Sequence, residues 1–164
     1  MKLLRATKGN FQFHLGQREK QVFCEILELY PCIPPAHQPL SKNGKPPQRD
    51  ANQRLLDEAL AEQRADNQKQ LSVFLSDPLR LVPVKKQSDG GFRLSLSPVE
   101  IEWLLQILND IRVGSWIKLG SPEEPKLALN ANTMAQLWAM EASGHFQMQL
   151  LAAVSGNDAP SFTL

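Results

Sequence analysis

The sequence predicts an α+β domain in which four main helices pack with a small antiparallel sheet of three to four strands. Four long stretches carry apolar residues at the three- and four-residue spacing of amphipathic helices. Short stretches that alternate apolar and polar residues lie beside Gly9-Asn10 and on both sides of the turn at residues 88–91. A chain of 164 residues is also the size of one domain with one hydrophobic core.

The best-defined element is a helix predicted from Ser97 to Gly120. Ser97 is suited to be its N-cap, Pro98 fits the first helical position, and Glu100 completes a capping box. Gly120 follows the last turn as a stop signal. Its apolar face is broad and predicts a central position in the fold, with Ile101, Leu104, Leu105, Leu108, Ile111 and Leu119 widened by Trp103, Ile107 and Trp116.

The N-terminal part is predicted to contain strand, helix and loop in that order. Residues 2–15 alternate around Gly9-Asn10 and form one strand or two short ones. A helix from Gln17 to Tyr30 follows, and Pro31 ends it. Residues 31–49 are rich in proline and predict an irregular loop inside the domain, because the 30 residues before it are too few for a separate core.

A long helix is predicted from Asp50 to Ser76, before Pro78. Its apolar face is interrupted in the middle by Gln63 and Asn67. Two interpretations remain open: the centre of this helix is solvated, or it meets a polar partner surface.

The C-terminal part begins with an antiparallel hairpin of residues 79–85 and 92–96, in which Pro83 predicts that the first strand lies at an edge or is short. A last helix from Thr133 to Val154 is predicted, with Asn132 as its cap. Its apolar stripe is expected to face the core: Met134, Leu137, Trp138, Met148 and Ala152. Residues 156–164 are predicted to be a flexible tail, so that the domain covers residues 1–155.

One charged residue lies on the apolar face of the central helix. A guanidinium such as that of Arg112 keeps its charge, so it must find an acid, carbonyl oxygens or water. Glu141 and His145 fall one turn apart in the stripe of the last helix. We therefore expect a shielded Arg112–Glu141 pair with His145 alongside, and close approach of another backbone at Gly114 and Gly144.

The run Leu108-Asn109-Asp110-Ile111-Arg112, continuing to Gly120, resembles the signature helix of a bacterial family of unknown function. This is the domain of unknown function numbered two thousand and seventeen, whose members show a similar LND[LI]R run that ends in Leu-Gly. The strong match covers residues 96–120. A weaker similarity extends to the last helix and to the N-terminal strand and helix. The resemblance implies a structural or partner-binding role for Asn109, Asp110 and Arg112, and it brings no catalytic residue.

Charge and hydropathy argue against two classes of partner. Eighteen basic and 17 acidic residues leave a net charge of +1, without the basic patch expected of a nucleic-acid-binding domain. No apolar run of 18 residues is present, so no membrane span is predicted. The first ten residues lack the apolar core of a secretory signal, and we expect a cytoplasmic protein.

Cys24 and Cys32 are the two cysteines of the chain. Their eight-residue spacing matches no CxxC motif and no metal-ligand pattern, and two thiols in a domain of this size favour a reducing compartment. Glu25 and Glu28 beside Cys24 would disfavour a thiolate. A redox-responsive pair, formed if the chain folds back after Pro31, is retained as an alternative.

No catalytic or cofactor-binding motif occurs in the sequence. It contains no HExxH pair, no glycine-rich phosphate loop and no metal-ligand cluster, so we predict no cofactor and no metal. A non-catalytic regulatory or adaptor module that binds a protein is therefore the favoured function. The alternatives are a small enzyme or ligand-binding protein that uses Arg112, Glu141 and His145, and a homodimer that buries Trp103 and Trp116.

Overall fold

The computed structural model describes residues 1–7, 9–33, 46–84, 90–121 and 130–156, with residues 46–50 as backbone only. The predicted α+β class is confirmed: four helices accompany one four-stranded antiparallel sheet of order β1-β2-β4-β3. The elements, in chain order, are β1 (Lys2–Thr7), β2 (Asn10–Leu15), α1 (Gln17–Leu27), α2 (Pro46–Ser76), β3 (Leu81–Pro83), β4 (Phe92–Leu96), α3 (Pro98–Lys118) and α4 (Ala131–Ser155).

Several predicted boundaries move by a few residues. Helix α1 ends at Leu27, and α2 begins at Pro46, so the last residues of the predicted 31–49 loop belong to α2. Residues 34–45 of that loop lie outside the described residues, as do most of the predicted tail and residues 122–129. Helix α4 is capped by Asn130 rather than Asn132, because the Asn130 side chain accepts from the amides of Asn132 and Thr133 at 3.0 Å.

The sheet has the expected local signals. Strands β1 and β2 form a hairpin across Gly9, which has a positive φ of 94°. Strand β2 then pairs with β4, and β3 pairs with β4 at the edge of the sheet that the described residues form. Pro83 therefore lies in an edge strand, as predicted, where its missing N–H leaves no central ladder bond unmade.

Helix α3 is the centre of the fold. Its capping box is formed: the Ser97 Oγ accepts from the Glu100 amide at 3.2 Å, and the Ser97 amide donates to the Glu100 carboxylate at 2.8 Å. The residues of the predicted broad apolar face are buried or partly buried, with one exception. Trp116 is 40% exposed, whereas Trp103 is buried in the core and forms no dimer surface.

Helix α4 packs along α3 with a different face from the predicted one. Its buried residues combine four small side chains with four larger ones: Ala139, Ala142, Ser143 and Ala153, and His145, Phe146, Gln149 and Leu150. The predicted stripe of large residues is at least partly exposed, including Met134, Trp138 and Met148. Small side chains let two helix backbones approach closely. The side of α4 that carries the small residues is therefore the one that packs against α3.

Helix α2 is the least embedded element. Its 31 residues extend about 46 Å at 1.5 Å per residue. Within residues 51–76 only Leu71 and Phe74 are buried, and Phe74 packs edge-on against Trp103 with ring centroids 5.8 Å apart. Nearer the N-terminus of α2, most of the described side chains are exposed, and Leu55 is 65% accessible to solvent. Among the described residues, no helix is long and apolar enough to span a bilayer.

Candidate functional site

The chain that leaves α1 is fastened to α3 at the LND motif. Asp110 Oδ1 accepts from the backbone amide of Cys32 at 2.6 Å and from that of Ile33 at 3.2 Å. Both bonds are charge-assisted, and each satisfies a backbone donor that no helix or strand pairs. Asp110 therefore anchors the segment 30–33 over a sequence distance of nearly 80 residues.

Gly114 lies one turn beyond Asp110 and admits the same segment. A Cβ on Gly114 would fall 2.6 Å from the Ile33 nitrogen and would overlap the carbonyl carbon and Cβ of Cys32. Real Cβ atoms do not approach backbone atoms this closely, so this position requires glycine. The predicted close approach at Gly114 is confirmed, and the approaching backbone is that of Cys32 and Ile33.

Asn67 links α2 to this region. Its Oδ1 accepts from the Trp103 indole N–H at 3.0 Å, and its Nδ2 donates to the Tyr30 hydroxyl at 3.2 Å. The centre of α2 was expected either to be solvated or to meet a polar surface, and each alternative holds for one of its two polar residues. Asn67 is half-buried and meets a polar surface of the domain, whereas Gln63 is exposed.

Two clefts open between α2 and the anchored segment. The first has a volume of about 190 Å³ and the second about 520 Å³, and both are bordered by Ile33, Leu60 and Arg64. The remaining residues of the first cleft are Tyr30, Gln63, Asn67, Gln106, Asn109 and Asp110. The remaining residues of the second are Pro31, Cys32, Asp57, Ala61, Ala65, Gln68 and Lys118.

The first cleft is a surface of side-chain amides on an apolar floor. Gln63, Asn67, Gln106 and Asn109 each carry one carbonyl acceptor and two N–H donors. Among the described residues that border this cleft there is no histidine, cysteine, serine or lysine, and the carboxylate of Asp110 is engaged with backbone amides. The arrangement is suited to hydrogen bonding.

The predicted shielding of Arg112 is wrong. Arg112 and Glu141 are both exposed, and no ion pair joins them within the described part of the chain. The two helices do pack together, and Gly144 does permit close approach: its Cβ position lies 3.7 Å from the Arg112 Nε. Because Gly144 has no side chain, the long stem of Arg112 lies across α4 and carries its charge to water.

His145 does not join Arg112 and Glu141 in a site. It is 6% exposed, and neither of its ring nitrogens has a hydrogen-bond partner among the described residues. Burial lowers the pKa of His145, the amino group of Met1 lowers it further, and the carboxylate of Glu19 opposes them. Glu19 pairs with that amino group and accepts from the Gly16 amide at 2.9 Å, which lowers its own pKa although burial acts to raise it.

The lowered pKa of His145 predicts a pH dependence of stability. Because the folded-state pKa is below the unfolded value of about 6.5, the folded state is fully favoured above that pH and loses stability as the pH falls below it. Urea unfolding at about pH 7.5 and about pH 5.5 measures this loss. The variant His145→Gln is expected to show a flatter dependence in this interval, since Glu19 contributes only at lower pH. Equal slopes for the two proteins would contradict this account.

The two cysteines are free thiols. Cys32 is buried and its Sγ donates to the Leu29 carbonyl oxygen at 3.1 Å, whereas Cys24 is half-buried. Burial raises the pKa of both thiols, although Lys20 opposes this at Cys24 and Lys118 opposes it at Cys32. Thiols with raised pKa values react slowly with disulfides and peroxides, which gives the redox alternative no support.

Sequence reasoning identified Asn109, Asp110, Gln63 and Asn67 but not the rest of the cleft. Gln106 lies three residues before Asn109 on the same flank of α3, so the spacing of these two residues could have predicted that both border the cleft. Tyr30 and Arg64 carried no signal of their own, because their place depends on how α1 and α2 meet α3. Among the described residues, no group of three or more histidine, cysteine or acidic side chains is placed to hold a metal ion.

No protein-family model matches the chain, and no curated protein or solved structure is significantly similar to it. The resemblance of the LNDIR run to a family of unknown function therefore stays a prediction.

Proposed function

We propose that this chain is a non-catalytic regulatory or adaptor domain that binds a protein partner in the first cleft between α2 and α3. The observation that carries the proposal is the set of exposed amides, Gln63, Gln106 and Asn109, beside a wall anchored by Asp110. A side-chain amide donates and accepts at the same time, as does the peptide group. An extended segment of a partner protein would present successive peptide groups, which the side-chain amides of the cleft can hydrogen-bond.

Hydrogen bonds on both sides of the cleft support the same proposal. One wall is held by Asp110 and by the close contact at Gly114, and the other is held by Asn67 through Trp103 and Tyr30. A surface that is already in place loses less conformational entropy when a partner binds. The resemblance to a family with LND[LI]R helices adds support for a partner-binding role of Asn109.

A cytoplasmic location belongs to this proposal, and the support for it is the pair of free cysteines. Catalysis by Arg112, Glu141 and His145 is the less favoured alternative. Two of these side chains are in solvent and the third is buried away from both clefts.

Affinity purification from cells of the source organism tests the proposal. The tagged wild-type chain is compared with Gln106→Arg, which places a long cation in the cleft, and with Gln21→Arg, the same change on exposed α1. A partner is expected with wild type and Gln21→Arg, and its yield is expected to fall about tenfold or more with Gln106→Arg, as at an interface hot spot. The same proteins in equal yield with all three baits would contradict the proposal.

A further inference from the structure

We propose that the outer face of the sheet binds an extended, acidic segment of a protein. This surface, called here the basic face, consists of six side chains from three strands: Lys2, Arg5, Gln12, His14, Arg93 and Ser95. None of these residues borders either cleft, so the inference goes beyond the proposed function.

The strand register places the six side chains on one side of the sheet. Residues directly opposite each other in an antiparallel pair point to the same face. Lys2 lies opposite His14, and His14 lies opposite Arg93, so one row crosses three strands. A second row, two residues away along β2, is built in the same way by Arg5, Gln12 and Ser95. The face therefore joins residues that are far apart in the sequence.

The other side of the same strands faces the helices. Its central residues are almost fully buried: Phe13, Leu15, Leu94 and Leu96. On the basic face, by contrast, Lys2, Arg5 and Arg93 are exposed, and the other three side chains are partly exposed. Within the described part of the chain, this side of the sheet is therefore accessible to a partner.

The basic face carries charge of one sign. The strands β1–β4 contain no aspartate or glutamate, and their cations are Lys2, Arg5 and Arg93. None of these three cations forms an ion pair with another described residue. All 17 acidic residues of the chain lie outside the strands, and the net charge of +1 hides this separation. Uncompensated cations on one face attract an anionic partner over about 10 Å at 0.1 M salt.

The side chains of the face favour a protein segment over a nucleic acid. Surfaces that bind single-stranded nucleic acids add aromatic side chains on which the bases stack. In this sheet the three strand phenylalanines point to the core side: Phe11, Phe13 and Phe92. The imidazole of His14 is packed against the backbone of Gly91. The basic face also has no large apolar side chain that could insert into a bilayer.

The spacing of the cations fits carboxylates on an extended chain. Neighbouring strands lie about 5 Å apart, so Lys2 and Arg93 are separated by about 10 Å at the backbone. Alternate side chains of an extended segment point to one side at intervals of about 7 Å, and the long stems of lysine and arginine absorb the difference. A guanidinium can donate two parallel hydrogen bonds to one carboxylate, and Gln12 and Ser95 supply further donors.

Fluorescence anisotropy with the purified full chain tests this proposal. The probe is a labelled peptide of about twelve residues in which glutamate alternates with serine, and the control peptide has glutamine in place of glutamate. Saturable binding of the glutamate peptide is expected at about 50 mM salt, with clear weakening at about 300 mM. The glutamine peptide is expected not to bind.

Charge reversal on the face supplies the decisive variants. Arg93→Glu and Arg5→Glu are each expected to raise the Kd for the glutamate peptide about tenfold or more. Arg54→Glu makes the same change on exposed α2, outside both clefts, and is expected to stay within about twofold of wild type. All three side chains are exposed, so circular dichroism is expected to show an unchanged fold.

Three results would overturn the proposal. The first is a wild-type protein that does not bind the glutamate peptide, and the second is an equal loss of binding with Arg54→Glu. The third is tighter binding of labelled oligothymidylate or of phosphatidylserine vesicles than of the peptide, which would make the occupant a nucleic acid or a membrane. Gln106→Arg is expected to retain peptide binding, so failure of the cleft proposal is separable from failure of this one.

Discussion

Replacing Gly114 by alanine is expected to destabilise the fold by about 3 kcal/mol, near the upper end for an added methyl group in a packed interior. The added Cβ would meet the backbone of Cys32 and Ile33, including the Ile33 nitrogen at 2.6 Å. A flexible side chain can move away at little cost, but this backbone is held by two hydrogen bonds to Asp110. Relief of the overlap must therefore stretch or break those bonds. Chemical unfolding of the variant and wild type measures the difference.

Gly144→Ala is the matched control for this experiment. Both glycines lie inside long helices, so alanine gains about 0.5–1 kcal/mol of helix propensity at either position. At Gly144 the new Cβ would lie 3.7 Å from the Arg112 side chain, an ordinary contact with a group that can shift. We expect this variant to be as stable as wild type or slightly more stable. Equal effects of the two substitutions would show that residues 32–33 do not lie against α3.

Asp110→Ala is expected to cost about 2–4 kcal/mol, because two backbone amides lose a charged acceptor and are left partly buried. Asp110→Asn retains an oxygen in the same position without the charge, and we expect it to lose about 1 kcal/mol. Urea unfolding of the three proteins gives the order wild type, Asp110→Asn, Asp110→Ala. If Asp110→Ala were as stable as wild type, the anchoring role of this carboxylate would be refuted.

The elements that local signals define were predicted well. The capping box at Ser97 and the edge position of Pro83 each depend on a few neighbouring residues, and the structure contains both. For residues 2–15 the sequence left one strand or two short ones open, and the structure has two, which pair across Gly9. Gly114 was identified as a point of close approach, because a glycine within an apolar helix face has few other uses. The identity of the approaching segment depends on tertiary packing and could not be read from the chain.

The predicted Arg112–Glu141 pair failed because it rested on the wrong face of α4. Hydrophobic periodicity weighs large residues most, so it selected Trp138 and Met148 as the core side. Packing density instead favoured Ala139, Ala142 and Ser143, which let α4 lie close to α3. Once α4 is turned in this way, Glu141 points to solvent and His145 lies beside Glu19. When a helix has two apolar faces, the sequence does not show which one is buried, because burial depends on the element against which the helix packs.

Asp110 and Gly114 hold the segment 30–33 against α3 and so build one wall of the first cleft. Amide hydrogen exchange at Cys32 and Ile33, followed by NMR in wild type and Asp110→Ala, tests this arrangement most directly. We predict slow exchange at both amides in wild type and much faster exchange in the variant, while β2 and β4 amides stay protected. Rapid exchange at Cys32 and Ile33 in the wild-type protein would contradict this arrangement.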